Sequence, residues 1–171
     1  REVVRDFVKR GNGVVGICAG AFLCSSHYDW SLRVINTAVF NKTIDIPGVG
    51  RKSMWYRGTA QNVQMELEGA ALSILGKSGD VMVRYQNGPV ISAGKATDLP
   101  MYTPLAWFRS EVSKYEPQKG TMINTPAIVV ADFGKGRVLS VSPHPEATPG
   151  LESIIVNGVR WAAGHATLSE D

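Results

Sequence analysis

The feature that most constrains the fold is a short apolar run that leads directly into a glycine-flanked cysteine. Gly13 to Ile17 contains two adjacent valines and an isoleucine, a composition typical of a parallel strand buried on both faces. Cys18 follows, with Gly16 two residues before it and Gly20 two residues after it. From Ala19 onward, small and apolar residues favour a helix. The segment therefore predicts a strand, a tight elbow at Cys18 and a helix.

A second supersecondary signal lies near the end of the chain. Ala127 to Phe133 and Arg137 to Ser142 are rich in β-branched residues, and Gly134-Lys135-Gly136 joins them. Two such runs with a short glycine-containing connection predict a β-hairpin. Further strands are predicted at Val81 to Tyr85, Val90 to Ala93 and Leu105 to Phe108, and the first two form either a strand pair or a strand followed by a site loop.

Helical patterns flank these strands. Residues 1–10 predict a helix with an apolar stripe and Gly11 after its end; the stripe is Val3, Val4, Phe7 and Val8. A last helix is predicted from Pro149 to about Gly164, with one buried face; that face is Leu151, Ile154, Ile155, Val159 and Ala162. The middle, from about Leu32 to Gly79, predicts irregular structure with short strands. Alternating strands and helices favour an α/β fold with a mainly parallel sheet, helices on both faces and a late hairpin.

Length and composition limit the classes of protein to consider. With 171 residues, 44% hydrophobic and 19% charged, the chain predicts one globular domain over residues 1–171. The net charge of +3 is spread along the sequence, which argues against nucleic acid as the main partner. No apolar stretch is long enough to span a bilayer and no signal-peptide pattern begins the chain, so we expect a cytoplasmic protein with no membrane partner. The two cysteines, Cys18 and Cys24, are expected to be reduced thiols.

The elbow at Cys18 suits a nucleophile. A residue on such a turn has a strained backbone, and the glycines on either side let strand and helix approach closely. We expect the helix N-terminus to favour the thiolate, and the Ala19 N–H to point to where an oxyanion would form. By itself the motif is equally compatible with a small buried cysteine in a strand end.

A histidine and a glutamate follow the second strand of the hairpin. His144 and Glu146 lie in "SVSPHPE", where Pro143 and Pro145 stiffen the loop. A carboxylate two residues along can hold the imidazole in the tautomer that accepts a proton from sulfur. Strand ends of an open α/β sheet can meet at one crevice, which would bring His144 to Cys18. The alternative interpretation is a surface proline-rich turn whose histidine and glutamate have no joint role.

Together these motifs resemble a known superfamily. "GICAG" and "PHPE", about 125 residues apart, resemble the nucleophile and His-x-Glu motifs of class I glutamine amidotransferases. "GICAGAFLCSS", "VRYQNGPV", "LSVSPHPE" and "VRWAAG" are similar to the domain at the N-terminus of some biotin–protein ligases and in stand-alone relatives. The resemblance implies a flavodoxin-like, doubly wound fold and a triad of Cys18, His144 and Glu146. It also implies glutamine or a γ-glutamyl compound as the amide, and a synthetase or ligase as a possible partner.

The superfamily normally has an earlier strand and a glycine-rich loop that gives a second oxyanion donor. Nothing in residues 1–10 resembles them, so either the first strand and its loop are missing from this sequence, which we expect, or the protein lacks that donor and is a weak catalyst. At the predicted crevice, Tyr85, Asn87 and Gly88 could contact substrate, although a plain turn is the simpler interpretation. Trp55, Tyr56 and Arg57 could line a pocket or merely pack. Acidic residues with ligand spacing are not found, so neither a metal nor another cofactor is expected.

Three classes of function remain open on the sequence. The first is an enzyme in which Cys18 attacks an amide carbonyl to give a thioester, with His144 as base and Glu146 as orienting residue. The second is a binding or regulatory module that keeps the fold while its pocket only recognises a ligand or partner. The third is a redox thiol protein, which the glutamate at position 146 explains less well.

Overall fold

The computed structural model describes residues 1–40, 43–52, 59–112 and 120–165. The helices in these ranges are α1 (Glu2–Lys9), α2 (Ala19–Cys24), α3 (Ala71–Leu75) and α4 (Glu152–Ala162), with a 3-10 turn at Pro145–Ala147. The strands are β1 (Gly13–Ile17), β2 (Thr37–Val39), β3 (Ile44–Ile46), β4 (Gly50–Lys52), β5 (Gln61–Leu67), β6 (Gly79–Tyr85), β7 (Ile91–Ala93), β8 (Thr103–Phe108), β9 (Pro126–Phe133) and β10 (Gly136–Val141).

Six strands form the main sheet, in the order β1-β10-β9-β8-β5-β6. The pair β1/β10 is parallel, and the other four neighbouring pairs of this sheet are antiparallel. The mixed α/β class is confirmed, but the prediction of a mainly parallel sheet is wrong for the described residues. For two of the antiparallel pairs, β9/β10 and β5/β6, the physical reason is the length of the connection. A parallel pair needs a crossover of a dozen or more residues, whereas β9 and β10 are joined by two residues and β5 and β6 by a segment that holds only the short α3.

The predicted late hairpin is confirmed. Gly136 pairs with Phe133 and Val141 with Ile128, so β10 is paired with β9 along its whole length without a register shift. Gly134 has a φ of 66°, the left-handed conformation that a two-residue hairpin turn needs and that glycine adopts without a steric penalty.

The hairpin strands carry the core on both of their faces. Ile128, Val130 and Leu139 belong to one apolar cluster, together with residues of α3 and α4. Val129 and Val138 point the opposite way, into a second cluster that includes residues of α1 and α2. Side chains alternate between the two faces of a sheet along a strand. One face packs on α3 and α4 and the other on α1 and α2, so helices cover both faces. Each fully buried aliphatic side chain contributes roughly 1.5–3 kcal/mol to folding.

Several local predictions need revision. The middle of the chain is more regular than expected, since it contains the seven-residue β5 and the helix α3. The strands β6 and β7 do not pair with each other, because β6 pairs with β5 and β7 with β2, so a strand followed by a loop is the correct alternative. In the predicted stripe of α1, Val8 is buried, whereas three apolar side chains are exposed: Val3, Val4 and Phe7.

The main sheet curls until its far edge returns to the end of β10. The His144 N–H, just beyond β10, donates to the Arg84 carbonyl in β6 at 2.8 Å, and the Arg84 N–H donates to the Thr148 hydroxyl at 3.0 Å. The edge strand β6 therefore meets the segment that follows β10, although three strands separate β6 from β10 in the sheet order. In the part of the chain that the structure describes, no helix has the length and apolar character needed to cross a bilayer.

Candidate functional site

Cys18 lies on the predicted elbow between β1 and α2. Its φ is 51° and its ψ is −102°, a conformation that L residues rarely adopt and that often marks a functional position. Its N–H donates to the Val141 carbonyl oxygen at 2.8 Å, one residue beyond the paired ends of β1 and β10. The strand–elbow–helix prediction is therefore confirmed, with the strain located on the cysteine itself.

The two glycines of the elbow have different roles. A Cβ on Gly16 would overlap the Gly20 carbonyl group and lie 2.8 Å from the Cys24 sulfur, so only glycine fits there. A Cβ on Gly20 would meet nothing within 4 Å. Close approach of strand and helix thus depends on Gly16. Cys24 is buried and is part of the second apolar cluster of the core.

His144 is placed beside the elbow by the parallel pair β1/β10. Ile17 is paired with Val141, and His144 follows three residues later. Its backbone is held at both ends, because its N–H donates to Arg84 O and its carbonyl accepts from the Thr148 hydroxyl at 2.7 Å. The histidine loop is thus fixed by β6 and by a threonine that the sequence analysis did not identify.

Glu146 contacts the imidazole directly. Its Oε1 lies 2.7 Å from Nδ1 of His144. Since a carboxylate accepts, Nδ1 donates and Nε2 is left as the basic nitrogen. This is the tautomer in which the imidazole can take a proton from a thiol.

In the structure, the Cys18 side chain is a neutral thiol and does not form an ion pair with His144. Its S–H donates to the Gln86 carbonyl oxygen at 3.3 Å, and no hydrogen bond joins it to His144 among the described residues. Burial raises the pKa of Cys18, the negative charge of Glu146 raises it further, and a hydrogen bond from the Ala19 N–H lowers it. The net shift is upward, so the helix N-terminus does not produce the thiolate that the sequence led us to expect.

The loop after β6 lies against this centre. Tyr85 is buried, and its hydroxyl donates to the Gly88 carbonyl at 2.7 Å, so it holds the loop from beneath. A Cβ on Gly88 would overlap the Ser142 backbone, which makes glycine necessary there. Asn87 has a φ of 57° and lines a groove together with Cys18. Of the three predicted substrate residues, Asn87 alone lines that groove, and substrate contact stays a prediction.

The groove beside Cys18 has a volume of about 440 Å³, within the range of small-molecule sites. Its walls are largely apolar: besides Cys18 and Asn87, it is lined by Ala19, Phe22 and Trp30. The sequence analysis missed Phe22 and Trp30. Phe22 follows Cys18 by four residues on a helix, a spacing that could have placed it on the same face, whereas no local signal marks Trp30.

A larger cleft of about 660 Å³ lies beyond the other end of α2. Its lining includes His27, Arg33 and Lys95 but none of the predicted catalytic residues. Size alone would favour this cleft, but Cys18 lines the smaller groove, which is therefore the candidate site; His144 and Glu146 are not among the described residues that line it. Trp55, Tyr56 and Arg57 lie outside the described residues. Within the described ranges, no three His, Cys, Asp or Glu side chains gather as they would around a metal ion.

Solved structures share the fold at low sequence identity. A β-galactosidase from Bacillus circulans sp. alkalophilus is 17% identical with a TM-score of 0.55, and the match covers 98% of this chain and 21% of that one. A cold-adapted β-galactosidase from Rahnella sp. R3 is 15% identical with a TM-score of 0.58, covering 94% of this chain and 20% of the other. A ThuA-like protein from Parabacteroides merdae ATCC 43184 is 14% identical with a TM-score of 0.56, covering 99% and 67%.

These likenesses show a common fold and nothing about activity. The chain spans about a fifth of the length of the two β-galactosidases. No curated protein sequence matches it. A family match, in contrast, covers almost the whole chain: the family described as "Biotin-protein ligase, N terminal" matches residues 1–162. The chain therefore belongs to the biotin-protein ligase N-terminal family.

Proposed function

We propose that the protein is a cysteine-dependent amide hydrolase of the acyl-transfer type, with Cys18 as nucleophile, His144 as general base and Glu146 as the residue that orients His144. The observation that carries the proposal is the 2.7 Å contact between His144 Nδ1 and Glu146 Oε1, formed where β10 ends beside the strained Cys18 at the end of β1. Nucleophile, base and orienting carboxylate are the three parts that such catalysis needs.

The reaction would proceed in two steps. Nε2 of His144 takes the thiol proton while the sulfur attacks the amide carbonyl carbon, and the Ala19 N–H stabilises the oxyanion. The C–N bond then breaks, the amine leaves with the proton from His144, and a thioester to Cys18 remains. Water, deprotonated by His144, attacks the thioester; the C–S bond breaks, the Cys18 sulfur takes the proton back from His144, and the carboxylic acid is released, so that amide and water give acid and amine.

The raised pKa of Cys18 indicates when the proton moves. A thiol that is neutral at rest loses its proton only as the attack begins, after the sulfur turns from the Gln86 carbonyl toward His144. A bound substrate that excludes water from the groove would assist this turn. We therefore propose general-base catalysis rather than a preformed thiolate–imidazolium pair.

The resemblance to class I glutamine amidotransferases supports this proposal through the "GICAG" and "PHPE" motifs, which contain all three residues. Glutamine or a γ-glutamyl compound as substrate, a synthetase or ligase as partner, and a flavodoxin-like arrangement of further strands are proposals on the same basis. In the described sheet, the β1/β10 pair is the part that matches a parallel arrangement.

A ligand- or partner-binding module is the second candidate. Membership of a family named for the N-terminal part of a ligase favours it, as do the raised pKa of Cys18 and the thiol that points to Gln86 rather than to His144. In such a module, the groove would hold a ligand without reaction.

Acylation of Cys18 by p-nitrophenyl acetate distinguishes the two candidates. We expect a burst of p-nitrophenol, an acetyl group on Cys18 in intact-mass and peptide analysis, and slow turnover. Cys18→Ala should abolish the burst, and His144→Ala should slow acylation by about 100-fold, as loss of a general base does. Cys24 is the internal control, because its burial should keep it unmodified. Acylation of Cys18 no faster than that of free cysteine, unchanged in His144→Ala, would exclude the enzyme and favour the binding module.

A further inference from the structure

The walls of the groove at Cys18 are unusual for a site that receives a polar amino acid. Phe22 and Trp30 supply aromatic surface, and Ala19 adds a methyl group. Besides the Cys18 thiol, the polar side chain in the lining is the Asn87 carboxamide. No charged side chain is among the described residues that line the groove.

Trp30 is held in place although more than half of it is exposed. It is 54% exposed, and its ring stacks on Tyr28 with the centroids 4.5 Å apart and an angle of 11° between the planes. The Tyr28 and His27 rings in turn meet edge to face, with their centroids 4.6 Å apart. An indole fixed by stacking loses little entropy when a ligand covers its free surface, and covering exposed aromatic surface is favourable.

The absence of charged side chains from the described lining also favours an uncharged ligand. A free amino acid carries an ammonium and a carboxylate, and both must keep water or find opposite charges when they enter a site. The described residues that line the groove include neither a positively nor a negatively charged side chain. Glu146, the carboxylate that acts on the Cys18 sulfur, would repel an anionic substrate group close to the nucleophile.

We propose that the amide attacked by Cys18 carries an uncharged apolar group, of about the size of a phenyl ring, that packs on Trp30 and Phe22. This inference rests on the proposed function for the attack itself, and it names a class of substrate different from the glutamine or γ-glutamyl compound that the resemblance implies. Asn87 lines the same groove and offers a carboxamide to the polar atoms of the substrate amide. Free glutamine, in contrast, would place its charged end against apolar walls.

Protection of Cys18 by matched primary amides tests the proposal. The compounds are 4-phenylbutanamide, butanamide and glutamine, which share the amide and differ in what the chain carries. Each is added at increasing concentration while the modification of Cys18 is followed by intact mass, once with p-nitrophenyl acetate and once with iodoacetamide. We expect 4-phenylbutanamide to protect at a concentration at least about tenfold lower than butanamide or glutamine, as burial of a phenyl ring implies.

Variants identify the groove as the source of the preference. Trp30→Ala should reduce the tenfold difference to about twofold, and Trp30→Phe should restore most of it. Leu72→Ala is the matched control, because it removes an exposed apolar side chain of α3 that does not line the groove. Equal free energies of unfolding of the variants would show that the fold is intact.

The possible outcomes separate this inference from the proposed function. Equal protection by the three amides, or better protection by glutamine, would overturn the apolar substrate class even if p-nitrophenyl acetate acylates Cys18 through His144. A preference for 4-phenylbutanamide that Trp30→Ala leaves unchanged would also overturn it. If Cys18 is never acylated, the proposed function fails, and the iodoacetamide series still reports whether the groove selects apolar ligands.

Discussion

The Cys18 N–H donates to the Val141 carbonyl oxygen at 2.8 Å, which extends the parallel pairing of β1 and β10 by one residue into the elbow. This hydrogen bond ties the turn that carries the proposed nucleophile to the strand that ends just before His144. Because the two catalytic candidates share one backbone frame, small changes in the elbow should affect both the stability of the fold and the reactivity of the thiol.

The two elbow glycines should respond differently to an added methyl group. In Gly16→Ala the Cβ would overlap the Gly20 carbonyl and press on Cys24, so we expect the free energy of unfolding to fall by about 2 kcal/mol. In Gly20→Ala the Cβ enters open space within α2, where alanine is the better helix former, so stability should stay equal or rise by about 0.5–1 kcal/mol. Urea unfolding measures both, and equal losses would contradict this account of the elbow.

Glu146→Gln should change two properties of Cys18 in opposite directions. Removing the carboxylate removes one cause of the raised pKa, so the pKa of Cys18 should fall and iodoacetamide should react faster at neutral pH. Acylation by p-nitrophenyl acetate should slow by about tenfold or more, because the His144 tautomer is no longer held.

The rates of alkylation by iodoacetamide and of acylation by p-nitrophenyl acetate are followed by intact mass as a function of pH. The first series gives the pKa of Cys18, and the second gives the loss of acylation rate. Glu68→Gln is the control, because that exposed carboxylate is not among the causes of the Cys18 shift and should change neither rate. A parallel fall of both rates in Glu146→Gln would mean that this residue supports the local fold rather than orienting the imidazole.

Cys24 should make the protein less stable in alkali. Burial raises its pKa to about 12, whereas a thiol in the unfolded chain has a pKa of about 8.5. Below about pH 8.5 both states hold the proton, so the contribution of this group to stability is complete. Between about pH 8.5 and the folded pKa, the unfolded state alone releases it, so the free energy of unfolding falls by up to about 1.4 kcal/mol per pH unit.

Urea unfolding from pH 7 to pH 10 checks this, with Cys18→Ala in every chain so that one thiol titrates. Relative to the additional variant Cys24→Ala, the chain with Cys24 should lose roughly 2 kcal/mol between pH 8 and pH 10. Equal pH slopes in the two chains would show that Cys24 is reached by water in the folded state.

Much of the candidate site was predictable because its signals are local. The glycine pattern around Cys18 specifies a turn of unusual backbone dihedral angles, and the observed φ of 51° agrees. The connection at Gly134 and Lys135 is short enough to require a hairpin, and the structure contains it. The spacing of His144 and Glu146, two residues apart around Pro145, suffices for the contact that is seen. In each case a few neighbouring residues set the conformation.

Other features depend on segments far apart in the sequence. The sequence alone determined the elbow, the hairpin and the histidine loop, because dihedral preference and side-chain periodicity act within a few residues. The tertiary structure decided the strand directions, the return of Arg84 in β6 to His144, the groove that joins Trp30 to Cys18, and the upward shift of the Cys18 pKa. Each of these depends on which distant segments pack together and on how much water they exclude, and packing is a property of the whole fold rather than of any one segment.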